Sequence, residues 1–297
     1  MATTTPKGPD TNEGPRYLIS IGILTAIALC LFTARIYNRV RPANQLSWDD
    51  YTIIIAEILS LSTFFTAIAA VAYGWGHLSS YVPQHRSTTA YKCLFAMEFF
   101  WMIAIALVRI SGASSLLRYI TSGPLRVVLW ALIGVQVIIT CGWIVVTLFN
   151  CHPLRSFWEP VEVVSCWPRK YTIVYGWVSA AGFFTLIDFT LAIMPLKFIW
   201  NLHRPARERI LISTLMATGL LATAMAGVKM TTFNAVYLGD PLSATVWPSM
   251  LAQMEELVGI IGVCMPCLKS PAERVLRRMG VLSDRFTQSI SLPSFVA

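Results

Sequence analysis

The chain has few charged residues for its length. Asp, Glu, Lys and Arg make up 13% of its 297 residues, whereas hydrophobic residues make up 56% and the mean hydropathy is +0.62. Soluble domains carry roughly 25% charged residues. Because a chain this poor in charge cannot cover a water-facing surface, the composition excludes an ordinary soluble domain and indicates a lipid bilayer as the solvent.

Familiar catalytic motifs are also missing. The sequence has no G-x-S-x-G, no Walker loop, no dinucleotide fingerprint and no H-E-x-x-H. Its only Asp pair, Asp49-Asp50, stands alone at a predicted helix start, so the Asp-rich motifs of a prenyltransferase are absent. The loop histidines His77, His85 and His152 show no spacing that demands a metal. We therefore expect neither a metal nor a cofactor.

Long apolar runs dominate what is present. A membrane-spanning helix needs about 20 mostly apolar residues. The sequence therefore predicts an all-α polytopic membrane protein, a seven-transmembrane helix bundle over residues 17–268, with a disordered tail at 1–16 and a basic, Ser-containing cytosolic tail at 269–297. The predicted spans are 17–37, 50–73, 91–117, 125–149, 171–199, 210–237 and 245–268.

Basic residues predict the orientation of this bundle. Of the 23 Lys and Arg residues, fourteen lie on one side of the predicted spans and seven on the other. The richer side is expected to face the cytosol, which places the N-terminus outside and the C-terminus inside. Because the net charge of +8 comes from the ends of apolar runs, it does not indicate nucleic-acid binding. Plasma membrane and endoplasmic reticulum both fit a multi-pass protein of this kind.

The predicted outer side carries cysteines and tryptophans. Cys151 and Cys166 share the loop after the fourth span, where an oxidising environment makes a disulfide plausible. Cys93, at the outer end of the third span, is a competing partner. Trp75 and Trp247 fall near the outer boundary, where we expect them to act as interfacial anchors.

Ionisable residues also occur at membrane depth, where they are costly and raise a functional hypothesis. Helical rise predicts that Glu57, Arg109 and Asp188 form an intramembrane polar cluster in the inner half. For Arg109 and Asp188, the favoured interpretation is a structural ion pair that fixes the register of their helices. A second set is predicted to line a cavity that opens outward: Glu98, Lys229, Glu255 and Glu256.

Short motifs along the chain point to a family. The match covers about residues 17–280, and its most specific pieces are Trp48-Asp49-Asp50-Tyr51, the loop Cys151-His152-Pro153, and the spacing from Glu255 to Pro266. In this order among seven spans they resemble the fungal rhodopsin-like seven-transmembrane integral membrane proteins, the family of the satratoxin-cluster membrane protein and of pathogenicity-related receptor-like proteins. Further matching pieces are Ala34-Arg35-Ile36-Tyr37, Tyr73-Gly74-Trp75-Gly76-His77, Phe157-Trp158, Cys166, Asp188, Met194-Pro195 and Gly219. Two positions depart from the family pattern but keep a positive charge: Arg109-Ile110-Ser111 stands where the family usually has Lys-x-Ser, and Lys229 stands where Arg is usual.

The resemblance implies a membrane protein of fungal secondary metabolism that binds a hydrophobic intermediate. Transformation of that intermediate by acid/base cyclisation or isomerisation would use Glu255 or Glu98 as the acid, with Lys229 tuning it or holding an anion. Whether the chain is an enzyme stays open, and its expected partners are the bilayer, a hydrophobic small molecule, and pathway enzymes or a G protein. Retinal is not expected, because a Schiff base needs a buried lysine and the seventh span has none before Lys269.

The alternative function is a G-protein-coupled-receptor-like sensor of an extracellular small molecule or surface cue. Seven spans fit such a sensor. Against it, the predicted inner loop between the fifth and sixth spans is short, from Asn201 to Ile210, and the third span ends in Leu117-Arg118-Tyr119 rather than in the acidic-Arg-Tyr of common receptors.

Overall fold

The protein is described by a computed structural model. It describes residues 12–40, 47–119, 123–159, 165–168, 182–200, 217, 219–228, 231 and 240–265. The longer helices in these ranges are α1 (Gly14–Val40), α2 (Trp48–Ala72), α3 (Gln84–Tyr119), α4 (Gly123–Phe149), α5 (Thr185–Trp200), α6 (Gly219–Val228) and α7 (Val246–Cys264). Short helical turns cover Ser79–Tyr81, Leu154–Phe157 and Pro241–Ala244.

Four of these helices are long and apolar enough to cross a membrane. They are α1, α2, residues Gln84–Leu117 of α3, and α4. Shorter apolar helices cover Gly182–Met194 and Gly219–Val228. The prediction of a helical membrane protein is thereby confirmed. Within the described residues, four of the seven predicted spans are long enough and apolar enough to cross a membrane. The C-terminal tail, 269–297, lies outside those residues.

Helix ends differ from the sequence expectation where polar residues continue a helix. α3 begins at Gln84, directly after Pro83 and seven residues before the apolar run starts. Its first turns are polar, so hydropathy does not reveal them. α1 begins at Gly14, within the stretch expected to be a tail. At the start of α2 the Asp50 carboxylate accepts a hydrogen bond of 3.1 Å from the backbone N–H of Ser47, which caps the helix.

The helices form one packed core. α2 packs along α3, α1 packs against α7 and α2, and α3 also contacts α4 and α7. Glycine permits close approach between α3 and α7, because a Cβ at Gly259 would lie 2.9 Å from Val108 Cγ1. α7 therefore sits between α1 and α3, and its acidic residues Glu255 and Glu256 are buried in the core.

One end of the bundle, the loop end, is built around the segment from Tyr73 to His77. Trp75 is fully buried there, and its indole N–H donates a 3.1 Å hydrogen bond to Thr245 Oγ1. Its ring meets Tyr17 edge-on at 4.8 Å. The expectation that Trp75 is an interfacial anchor was wrong, because this ring fills the gap between the beginnings of α1 and α7.

A disulfide hairpin lies at the same end. Cys151–His152 pairs antiparallel with Ser165–Cys166, and Cys151 and Cys166 are joined by a disulfide. Cys93, the alternative partner, is a free thiol. The segment after Cys151 packs on α3 through Phe157 and Trp158, whose rings each lie 5.5 Å from the Phe95 ring.

Candidate functional site

The opposite end of the bundle, the Arg35 end, is held by a buried ion cluster. Arg35 has no exposed surface, and its guanidinium donates to Asp50 Oδ1 at 2.9 and 3.1 Å and to Asp49 Oδ2 at 3.0 Å. It also donates to the backbone carbonyl of Val263, near the end of α7. Ser111 of α3 donates to the Asp49 carbonyl at 2.8 Å. This cluster, the Arg35 clasp, joins α1, α2, α3 and α7.

Sequence reasoning placed Arg35 in a family motif and among the fourteen basic residues of the inner side, and it did not predict the clasp. A usable signal was present. Two adjacent acids at the start of one span stand fourteen and fifteen residues after an arginine in the last turns of the preceding span. Antiparallel neighbouring helices bring such residues to one level, and a buried arginine needs carboxylate partners.

A second ion cluster, the Arg109 triad, lies deeper in the bundle. Arg109 of α3 donates through Nε and Nη2 to the two oxygens of Asp188 of α5, at 2.9 and 2.8 Å. Its Nη2 also donates to Glu255 Oε1 of α7 at 2.6 Å. Side-on pairing of this kind fixes the guanidinium plane as well as neutralising charge. The triad therefore ties three helices together at one point.

Besides its two carboxylate partners, the Arg109 guanidinium has an aromatic neighbour and a small cavity beside it. Phe184 lies under it, with its ring centre 4.6 Å from the guanidinium carbon. Arg109 and Gln136 both line a small cavity between α3, α4 and α5. Arg109 Nη1 and Gln136 Oε1 have no hydrogen-bond partner among the described residues. A donor and an acceptor thus remain available beside the triad.

Glu57 does not join the Arg109 triad. It was expected to lie with Arg109 and Asp188, but within the described residues it makes no hydrogen bond or ion pair with either, and its carboxyl group is electrostatically coupled to that of Glu256 of α7. Glu255 was expected on the outer set with Glu98, whereas it belongs to the triad. The depths inferred from helical rise did not reveal these groupings, because they depend on which helix faces adjoin.

Glu98 and Lys229 complete the candidate residues. Glu98 is half-buried on α3 and makes no hydrogen bond or ion pair within the described part of the chain. It lies eleven residues before Arg109, which is close to three full turns, so both side chains leave α3 along one stripe. Lys229 lies outside the described residues.

A cavity of about 240 Å³ opens at the loop end between α1 and α7. Arg16 lies at this cavity, 5.4 Å from the Trp247 ring and 3.8 Å from the Glu13 carboxylate. Tyr17 and Met250 supply part of its lining. In the ranges that the structure describes, no three His, Cys, Asp or Glu side chains come together as metal ligands would.

These features define a helical membrane protein with ion clusters buried at two depths. The fungal rhodopsin domain model matches residues 34–274, most of the chain, so the chain belongs to the fungal rhodopsin domain family. The matched range begins at the Arg35 clasp and includes the Arg109 triad. The family expected from the short motifs is thereby confirmed.

Two curated relatives come from fungal biosynthetic gene clusters. The polyenoic acids biosynthesis gene cluster protein Ba17b of Metarhizium anisopliae is 23% identical over 212 residues, covering 68% of this chain and 57% of the relative. The fugralins biosynthesis cluster protein 2 of Gibberella zeae is 26% identical over 144 residues, covering 48% and 34%. The chain thus aligns with little more than half of one relative and a third of the other. No solved structure matches it.

Proposed function

We propose that the protein serves a fungal secondary-metabolite pathway by binding a hydrophobic intermediate in its helical bundle and acting on it through acid/base chemistry, as in a cyclisation or an isomerisation. The names of both relatives support the pathway role. The Arg109 triad is the observation that carries the chemical part of the proposal. Ionisable residues at this depth are expensive, and a site for function is the default hypothesis for them.

Glu98 is the proposed proton donor. Its carboxyl group has no hydrogen-bond partner among the described residues, and it lies one turn from Phe95, which packs against Phe99, Phe157 and Trp158. An acid beside an aromatic cluster suits an apolar substrate that acquires positive charge, because ring faces attract cations. The stripe of α3 that carries Glu98 leads toward Arg109, roughly 16 Å further along the helix.

Glu255 and Lys229 take supporting parts in this proposal. Because Glu255 accepts a 2.6 Å hydrogen bond from Arg109, it is better suited to act as a carboxylate than as an acid. It would stabilise positive charge or accept a proton. Lys229, on the predicted sixth span, would tune these carboxyl groups or hold an anionic part of the ligand.

The test is deletion of the gene in the host fungus, followed by metabolite profiling with mass spectrometry. Complementation would use the wild type, Glu98→Gln, Glu255→Gln and the control Glu159→Gln. Glu159 is a partly exposed residue at the loop end that pairs with Lys92 at 3.3 Å, so its replacement should matter little. We expect an intermediate to accumulate, full rescue by Glu159→Gln, and product lowered by roughly 10²-fold or more with Glu98→Gln, as when a general acid is removed.

The outcomes separate the parts of the proposal. Rescue by Glu98→Gln and Glu255→Gln to wild-type levels would leave a pathway role without acid/base chemistry. An unchanged metabolite profile after deletion would contradict the pathway role altogether. Sensing of an extracellular small molecule or surface cue would then be tested next, by comparing responses of the deletion strain and wild type to such cues.

A further inference from the structure

Glu57 and Glu256 are two acidic residues buried in the same part of the core. The two residues are 1% and 0% exposed, and within the described part of the chain their four carboxylate oxygens make no hydrogen bond of good geometry, although the Ser60 hydroxyl lies close to the Glu256 carboxyl group. No Lys, Arg or His among the described residues pairs with either one. Two negative charges in an apolar interior are strongly unfavourable unless a positive charge accompanies them. The pair therefore requires an occupant that the triad and the clasp do not explain.

The register of α2 and α7 places Glu57 and Glu256 at the same level of the bundle. The helices run antiparallel, because Arg35 joins Asp50 at the start of α2 to Val263 at the end of α7. Two to three turns away, Gln253 Nε2 donates to Ser60 Oγ at 3.3 Å. Glu57 lies three residues before Ser60, and Glu256 lies three residues after Gln253, so both share the helix faces that make this contact. Their level in the bundle is between the Gln253–Ser60 contact and the clasp. They are electrostatically coupled.

Helix α1 contributes further buried oxygens to this region. Thr25, Ser60 and Gln253 share one level of the bundle. Each lies ten residues along its own helix from a clasp residue, namely Arg35, Asp50 and Val263, and therefore about 15 Å from the clasp. Thr25 is 5% exposed, and its hydroxyl oxygen has no hydrogen-bond partner in the part of the chain that the structure describes. The hydroxyl of Tyr17, closer to the loop end, is likewise buried and has no hydrogen-bond partner within the described ranges.

We propose that Glu57 and Glu256 form a monovalent-cation site between α1, α2 and α7. The shared chemistry is one small positive charge held by two carboxylates with hydroxyl and amide oxygens nearby. Sodium and a proton both meet this description. A divalent metal does not fit, since no third acidic, His or Cys side chain of the described residues joins the pair. The site is independent of the proposed acid/base function.

The charged and titratable groups around the pair are few. α1 presents Tyr17, α7 presents Glu255, and both are electrostatically coupled to Glu256. On α3, Arg109 is engaged by Asp188 and Glu255. Intramembrane carboxylates in such surroundings typically mark ion pathways or proton relays.

The test measures thermal unfolding of the purified full chain in detergent. One arm replaces choline chloride with sodium chloride at constant ionic strength and pH. The other arm lowers the pH from roughly 8 to roughly 5 in choline chloride alone. Because a ligand that binds only the folded state stabilises it, we expect the unfolding midpoint to rise by several degrees in the sodium arm for a metal site, or in the pH arm for a proton site.

Three variants make the test specific. Glu57→Gln and Glu256→Gln keep the shape but remove the charge, so each should abolish the response and raise the midpoint in choline at the higher pH. Glu255→Gln replaces the neighbouring carboxylate, which pairs with Arg109. This variant should unfold at a lower temperature than the wild type, but its unfolding midpoint should still rise with sodium or with the lower pH. Glu159→Gln is the second control should Glu255→Gln fail to fold. A flat midpoint in both arms, or a response that survives in Glu57→Gln and Glu256→Gln, would overturn the proposal.

Discussion

Two arginines in this molecule are buried far more deeply than arginine usually is. Arg35 is 0% and Arg109 is 6% exposed. Each binds two carboxylates, and each uses the planar fork that lysine lacks. Breaking such a pair costs more than forming it contributes, because the remaining partners stay buried without their counter-charge. Stability should therefore respond sharply to single changes at these positions.

The first prediction concerns Arg35. Replacing it by Gln removes the cation nearest to Asp49 and Asp50, and we expect the free energy of unfolding to fall by about 3–5 kcal/mol. Arg39, 18% exposed and 3.6–3.7 Å from the same carboxylates, is the matched control. Arg39→Gln should cost at most about 1 kcal/mol. Thermal unfolding of both variants in one detergent provides the comparison, and equal losses would contradict the assignment of Arg35 as the main cation.

At the scale of elements, the Tyr73–His77 segment joins structures that are distant in sequence. The backbone N–H of Gly76 donates to the Leu242 carbonyl at 3.1 Å, and its carbonyl accepts from Glu13 at 3.2 Å. Gly74 and Gly76 have φ angles of +106° and +104°, which side chains rarely adopt. This segment therefore fixes the start of α1 and the approach to α7 only while both glycines remain.

The second prediction concerns Gly76. A Cβ there would lie 2.5 Å from the backbone nitrogen of Gly14, so Gly76→Ala should strain the backbone and separate α1 from the segment. We expect a loss of at least about 1–3 kcal/mol. Gly134→Ala is the control, since a Cβ at that helical position meets nothing within 4 Å. That variant should be neutral or gain up to about 1 kcal/mol. Similar unfolding midpoints for the two variants would count against the role of the segment.

The elements themselves were largely predictable. Apolar runs located α1, α2 and α4 to within a few residues, because a bilayer-spanning helix must be apolar along its length. The first turns of α3 were missed, since Gln84 to Thr89 are polar. The burial of Trp75 was missed as well. Its position beside two glycines marks a special backbone conformation, but the sequence does not state which helices that conformation brings together.

At the scale of the whole molecule, contacts place several chain segments at the same end. The start of α1 meets the Tyr73–His77 segment, and the disulfide hairpin packs on the first half of α3. The sequence predicted that these segments share one end, because successive spans alternate in direction, while the number of spans and their orientation across the membrane stay predictions. What it did not predict was the pairing of core charges, because depth along each helix says nothing about which helices are neighbours.

The third prediction concerns topology. A tag placed before residue 12 and the Cys151–Cys166 hairpin should both face away from the cytosol, while a tag after residue 297 should face it. Protease accessibility of the two tags in sealed vesicles and in intact cells measures this directly. Labelling of Cys151 and Cys166 by a thiol reagent only after reduction would be the expected companion result. Cytosolic exposure of the first tag would refute the orientation.

The Arg35 clasp also has a consequence for biosynthesis. Arg35 and its two acids are fifteen residues apart or fewer, so they leave the ribosome almost together and can enter the membrane as a helical pair that neutralises itself. Arg109 has no such neighbour, because its partners are synthesised 79 and 146 residues later. On insertion scales, an arginine at the centre of a spanning helix makes insertion less favourable by about 2.5–3.5 kcal/mol. The apolar residues of α3 must offset this cost until α5 and α7 have been inserted. The first hairpin can thus be completed early, whereas the interior of the bundle is assembled last.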